Sequence, residues 1–307
     1  NVHSYVVDFF RVRGGNDHHF SFHGAEGPVT VEGLNLTAQT RGTYAGEDVE
    51  FGVRPEDDSV TGSGYVGPGF HWLDNVERDA NPSEKFSIDW DIVDTWQVLP
   101  DSADPHLRLT MLGQYGEVAL ADGVPPRNQT GNPERLRYVI VHNEGEHVES
   151  IFTSVLEPYD GERFIQSIEA VPVTADGVEV SGMEARAVKV TLKNGRTDYI
   201  ISAIDPNRTY TADGVIKFKG LFGVYSEQNG EPLFTYLNDA ERIGKPGGME
   251  TSSIPKLTGS VTDFTKGLSL DNRLIVEMDL QGLNTEDLVG AYIYVDNDGQ
   301  RSGAYPI

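Results

Sequence analysis

Phe86-Ser87-Ile88-Asp89-Trp90-Asp91-Ile92 places Phe, Ile, Trp and Ile on alternate positions, with Ser, Asp and Asp between them. A period of two marks a strand, because successive side chains leave a pleated backbone on opposite sides. The spacing predicts a half-buried antiparallel strand, with Trp90 in the core and the polar residues toward water. Leu107-Arg108-Leu109-Thr110-Met111 repeats the pattern. So does Ala187 to Leu192, which runs through Lys193-Asn194-Gly195-Arg196 into Thr197-Asp198-Tyr199-Ile200-Ile201. An Asn-Gly pair between two alternating runs predicts a tight hairpin with Gly195 at positive φ.

The same strand signal recurs at Tyr138 to Val141, Ser150 to Leu156, Phe164 to Val173, Val215 to Tyr225, Leu274 to Leu280 and Ala291 to Val295. No segment of about a dozen residues keeps the 3.6-residue period of a helix. The 34 glycines and 16 prolines punctuate the runs. Gly116 to Glu134, with Pro125-Pro126 and Asn132-Pro133, and Arg242 to Pro255, with Lys245-Pro246-Gly247-Gly248, read as long loops. A further break at Asp205-Pro206-Asn207 divides the chain into 1–205 and 206–307. The expected fold is all-β: a large antiparallel β-sandwich of stacked sheets, then a smaller carboxyl-terminal β-sandwich.

Composition narrows the function classes. Of 307 residues, 38% are apolar and 9% aromatic, enough for a packed core. No run of 18 apolar residues exists to span a membrane. The chain opens without a methionine or a leader pattern and enters a strand at once, which suggests a segment of a longer chain. The absence of cysteine excludes disulfides, thiolate metal sites and a cysteine nucleophile. A formal charge of −24 repels polyanions, so nucleic acid is not an expected partner. An acidic polysaccharide meets the same repulsion unless basic groups gather locally.

Arg11-Val12-Arg13-Gly14-Gly15-Asn16-Asp17-His18-His19-Phe20-Ser21-Phe22-His23-Gly24 is the densest polar constellation. Alternation puts His19, Ser21 and His23 on one face, and Arg11 with Arg13 on one face of the preceding strand. Functionally, Arg11 and Arg13 would meet an anion and His19 and His23 would add ligands or polar contacts. Structurally, the histidines would be edge-strand residues with satisfied hydrogen bonds, and acidic neighbours such as Asp8 or Asp17 would pair with the arginines. His19 and His23 lie about 13 Å apart along a strand, too far to share one metal without a bulge. Asp296-Asn297-Asp298-Gly299 reads as an Asx-rich turn, since the remaining ligands of a calcium loop do not follow. Glu56-Asp57-Asp58 and Asp89, Asp91 and Asp94 read as solvated faces. No GxSxG, P-loop or HExxH occurs, and no GxGxxG follows a strand. Trp72 and Trp96 are open to sugar stacking, whereas Trp90 belongs to the core.

Tyr5 to Gly15, followed by His18 and Phe22-His23-Gly24, resembles the sheet-domain segment of heparinase II/III-like polysaccharide lyases. Tyr138-Val139-Ile140-Val141-His142, leading through Ser150 to Leu156 into Glu157-Pro158-Tyr159 and Phe164 to Ile168, resembles it too. The likeness extends over residues 1 to about 205. It implies a secreted or periplasmic bacterial enzyme that cleaves uronate-containing polysaccharides by β-elimination, with an upstream α-helical toroid as its partner. Base, carboxylate-neutralising group and acid each have a part in that chemistry. The family's catalytic residues lie on the toroid, and its zinc or other divalent ion is held by a His-x-His pair and a later Asp and His. None of these patterns occurs here, so the resemblance assigns this chain no catalytic residue, no metal ligand and no cofactor. It leaves Arg11, Arg13, His19 and His23 as the candidate contacts to an acidic polysaccharide. The alternative reading is a non-catalytic sandwich for carbohydrate binding or attachment.

Overall fold

The computed structural model describes residues 4–53, 69–125, 130–254, 256–299 and 302–307. Among these the chain is all-β, with only short 3-10 turns at Phe70–Trp72 and Thr285–Leu288 as helical structure. It divides into two units, Asn1–Ser252 and Ser253–Ile307. The larger unit is a stack of antiparallel sheets. A central sheet runs in the order Val6–Arg13, Glu149–Asp160, Pro105–Leu112, Lys85–Asp91, Val29–Glu32. An outer sheet runs Asp17–His23, Leu136–Glu144, Glu117–Gly123, Leu73–Asp79, Thr37–Ala38. A nine-stranded sheet contains Ile165–Val171, Ala185–Leu192, Arg196–Ala203, Ile216–Gln228 and Glu231–Gly244 among its members.

Core contacts fix the order of the layers. One face of the central sheet supplies Phe86, Ile88, Trp90, Leu109, Met111 and Phe152, which meet Val118, Leu120, Val139 and Val141 of the outer sheet. Its other face supplies Leu112 and Val155, which meet Ile165, Ile168, Val188, Val190 and Leu192 of the large sheet. The large sheet has a second core on its far face, built on Tyr199, Ile201, Tyr210, Phe218 and Tyr225. A sheet covered on both sides has no face left for water.

That layering overturns the half-buried reading of Lys85–Asp91. Trp90 is fully buried as expected, with Gly24 lying so close that an added Cβ would sit 2.6 Å from the indole Cγ. Yet Ser87 and Asp89, on the polar face, are each only 4% exposed. Ser87 pairs across the strand with the Thr110 hydroxyl at 3.0 Å. Asp89 accepts from His106 Nδ1 at 3.0 Å and from the Tyr159 hydroxyl at 2.7 Å, and its Oδ2 lies 3.3 Å from Arg108 Nη1. Asp89 is therefore a buried network centre, because polar groups between layers must pair with one another.

The Glu157-Pro158-Tyr159 triplet has a structural job at each position. The buried Glu157 carboxylate accepts the backbone amides of Phe164 and Ile165 at 3.1 and 2.8 Å and binds Arg163 through two donors. Pro158 lies opposite Leu107 on one side and beyond the last pairing of Val6–Arg13 on the other, so on the side of that strand there is no ladder bond for it to miss. Tyr159 reaches Asp89.

The hairpin at Lys193 to Gly195 forms as expected. Gly195 has φ +87°, and its amide donates to Leu192 O at 3.0 Å. Several boundaries move. Glu117–Gly123 is a strand inside the stretch read as a loop; its Val118-Ala119-Leu120-Ala121 is buried, and the flanking prolines drew the reading away from it. Asp205-Pro206-Asn207 is a turn within the large sheet, where Arg196–Ala203 pairs with Ile216–Gln228, and the division of the chain falls at Ser252. Lys245 to Gly248 is the turn between Glu231–Gly244 and Glu250–Ser252.

The smaller unit comprises two hairpins, Gly259–Phe264 with Leu274–Met278 and Tyr292–Asp296 with Ser302–Pro306, and none of its described residues is buried. Gly299 N donates to Asp296 Oδ1 at 3.1 Å, which is the Asx turn expected there. Glu56-Asp57-Asp58 lies outside the described residues. No helix among those described is long and apolar enough to cross a membrane.

Candidate functional site

The outward face of the outer sheet is partly covered by residues 39–53 and 69–72. Beneath this cover, Tyr44, Leu73, Val76, Ala119, Ala121 and Ile140 form a small core. At one end the cover leaves a cavity of about 770 Å³ over four adjacent strands. Register produces its floor: His142 pairs with His19 on one side and with Glu117 on the other, so the three side chains form a row. Asp17 joins because it precedes His19 by two and shares its face.

The row is tightly bonded. His142 Nε2 lies 2.5 Å from Asp17 Oδ1, and His19 Nδ1 lies 3.3 Å from the same oxygen. The two imidazoles stack, with centroids 4.3 Å apart and planes 8° from parallel. Phe70 lies against His19 at 4.8 Å. Burial pushes the His19 pKa down, with Asp17 opposing and His142 reinforcing the shift. Arg78 binds Glu117 at 2.5 Å, donates to Tyr44 O and lies over the Tyr44 ring at 4.5 Å. Burial, aided by Glu117, holds the Tyr44 hydroxyl well above its ordinary pKa. With Asp17, Glu117 and Glu144 against Arg78, the lining is acidic apart from its histidines.

Of the residues expected from sequence, only His19 lies in this cavity. Arg11 points between layers: its Nε donates to Gly182 O at 3.2 Å, Nη1 to Ser202 Oγ at 2.9 Å and Nη2 to Ser202 O at 2.9 Å. It ties the central sheet to the large sheet, and burial lowers its pKa. Arg13 pairs with Glu149, directly opposite on the next strand, at 2.6 Å. His23 Nδ1 lies 2.8 Å from Gly24 O, and its ring packs on Tyr138. His18 is buried on the inward side, with Nδ1 2.9 Å from Ser150 Oγ and Nε2 2.5 Å from Gly14 O.

Asp17, Tyr44, Arg78, Glu117 and His142 escaped sequence reasoning as a group because they come from segments up to 125 residues apart. Only strand register unites them. Near the cavity, Trp72 is 50% exposed at the end of the 3-10 turn that supplies Phe70, and it meets Phe51 edge to face at 5.5 Å. No protein-family model matches the sequence, and no curated protein matches it.

Proposed function

We propose that the chain is the β-sheet portion of an exported bacterial polysaccharide lyase of the heparinase II/III-like kind, and that the open face of its outer sheet handles a uronate-containing glycan. The observation that supports this reading is the cavity with the exposed Phe51 and Trp72 pair beside it. Aromatic faces suit the apolar faces of pyranose rings, while Asp17, His142 and Glu144 at the floor supply polar contacts to sugar hydroxyls, with the uronate carboxylate turned away from this acidic lining. The segments that resemble the lyases are also neighbours in space, since Val6–Arg13 pairs along its length with Glu149–Asp160. In this reading β-elimination itself belongs to the toroid that such enzymes carry, and the sheets contribute one wall of the binding cleft.

The test uses the purified chain with heparan sulfate, hyaluronan, chondroitin and alginate, and with dextran as a neutral control. Affinity electrophoresis is expected to show retardation by at least one uronate glycan but not by dextran. Trp72→Ala is expected to weaken it about tenfold, equivalent to ~1.4 kcal/mol of lost contact. Equal mobility in all five, or an unaffected Trp72→Ala variant, overturns the reading. The same mixtures are expected to develop no ultraviolet absorbance from unsaturated uronate. Its appearance would place the chemistry in this chain.

A further inference from the structure

We propose that Asp17, His19 and His142 form a binding site for a divalent transition ion of the zinc class at the floor of the outer-sheet cavity. The inference concerns these side chains alone and holds whether or not the cavity takes a glycan. Three kinds of observation lead to it: convergence of donor atoms, chemistry of the donor set and access.

Convergence comes from the sheet. His19 and His142 are direct cross-strand partners, and Asp17 shares the face of His19. One donor atom from each of the three lies within 4.8 Å of the others. Donors about 2.0–2.1 Å from a tetrahedral zinc are roughly 3.3 Å apart, so no spacing here needs to change by more than about 1.5 Å. The rings must nevertheless tilt, because an imidazole binds an ion in its own plane and these two lie 8° from parallel. Ion binding therefore exchanges the stack for coordination, which gives the site a structural signature.

The donor set selects the ion. Two imidazoles and one carboxylate suit zinc and its transition-metal neighbours, whereas calcium and magnesium prefer oxygen throughout. Three protein ligands also leave a coordination position open. Here it would face the cavity, whose walls include Glu117, Glu144, Arg78 and Tyr44. A second cluster, Asp91, Asp104 and His106, offers one imidazole and two exposed carboxylates, none of them lining the outer-sheet cavity. It serves as an internal comparison.

The experiment titrates the full chain, stripped with chelator, with zinc chloride alone, followed by calorimetry and metal analysis after dialysis. One zinc per chain is expected. His142→Ala and Asp17→Asn are each expected to weaken binding by about a hundredfold or more, whereas His23→Ala, on the same face, and His106→Ala leave it unchanged. Imidazole resonances of the unaltered chain provide a check that needs no variant to fold: zinc is expected to shift those of His19 and His142 and not that of His23. Absence of a stoichiometric zinc, retention of full affinity in His142→Ala, or transfer of the loss to His106→Ala each overturns the proposal.

Discussion

Removing the carboxylate of Asp89 is expected to be among the most damaging single changes in the larger unit. Asp89→Ala leaves the buried Arg108 guanidinium with Glu32 as its remaining carboxylate partner, and takes the acceptor from His106 Nδ1 and the Tyr159 hydroxyl. Breaking a buried ion pair from one side costs about 3–5 kcal/mol. The lost hydroxyl bond adds about 1 kcal/mol. A total near 4–6 kcal/mol corresponds to a fall in Tm of roughly 8–24 °C for a unit of this size. Calorimetry on Asp89→Ala, Arg108→Met and the Asp89→Leu/Arg108→Met pair separates pairing from packing. If desolvation of unmatched charge is the cause, the double variant recovers most of the loss, because an apolar pair of similar volume replaces a buried ion pair at little cost. A double variant less stable than Asp89→Ala, or a single loss below about 1 kcal/mol, refutes the reasoning.

Gly195→Val is expected to lower stability by about 1–3 kcal/mol, measured by urea melting, because Gly195 sits at φ +87° and an added Cβ would lie 2.1 Å from Asn229 Oδ1. An unchanged midpoint would mean that the turn relaxes freely. Stability is also expected to fall as pH rises above 10. Burial and Asp198 raise the folded-state pKa of Tyr5, so its contribution is complete below the unfolded value near 10 and is lost above it. Tyr5→Phe should show a shallower alkaline slope in Tm, and an identical slope would remove Tyr5 from the effect.

The β class and most strands were legible in the sequence because alternation survives in any sheet, whichever layer it joins. Layer position was not. Phe86 to Ile92 carries the pattern of a strand with one wet face, yet Ser87 and Asp89 are buried and only Asp91, at the strand's end, is exposed, since serine, aspartate and arginine can fill an interior when they satisfy one another. The cavity was legible in one residue. Arg11 is a cation on a predicted strand, but its three donors are taken up by Gly182 and Ser202. His142 sits in an ordinary apolar strand pattern and joins the site only because its strand pairs with that of His19. Side-chain alternation tells which face a residue occupies; the cross-strand neighbour depends on pairing over more than a hundred residues.

The central sheet also sets a timetable for folding. Among the described residues its strand at Val6–Arg13 pairs with Glu149–Asp160 alone, a connection spanning about 150 residues. At synthesis rates of about 5–20 residues per second, the first strand waits on the order of 7–30 s for its partner to be made. Throughout that interval Val7, Phe9 and Val12 lack the layers that later cover them. Pairing at such long range is slow even in the finished chain, because loop closure precedes any gain from contact. A chain built in this way spends an aggregation-prone period with this strand unpaired, and the charged side chains of the strand, Asp8, Arg11 and Arg13, are the groups best placed to keep it in solution.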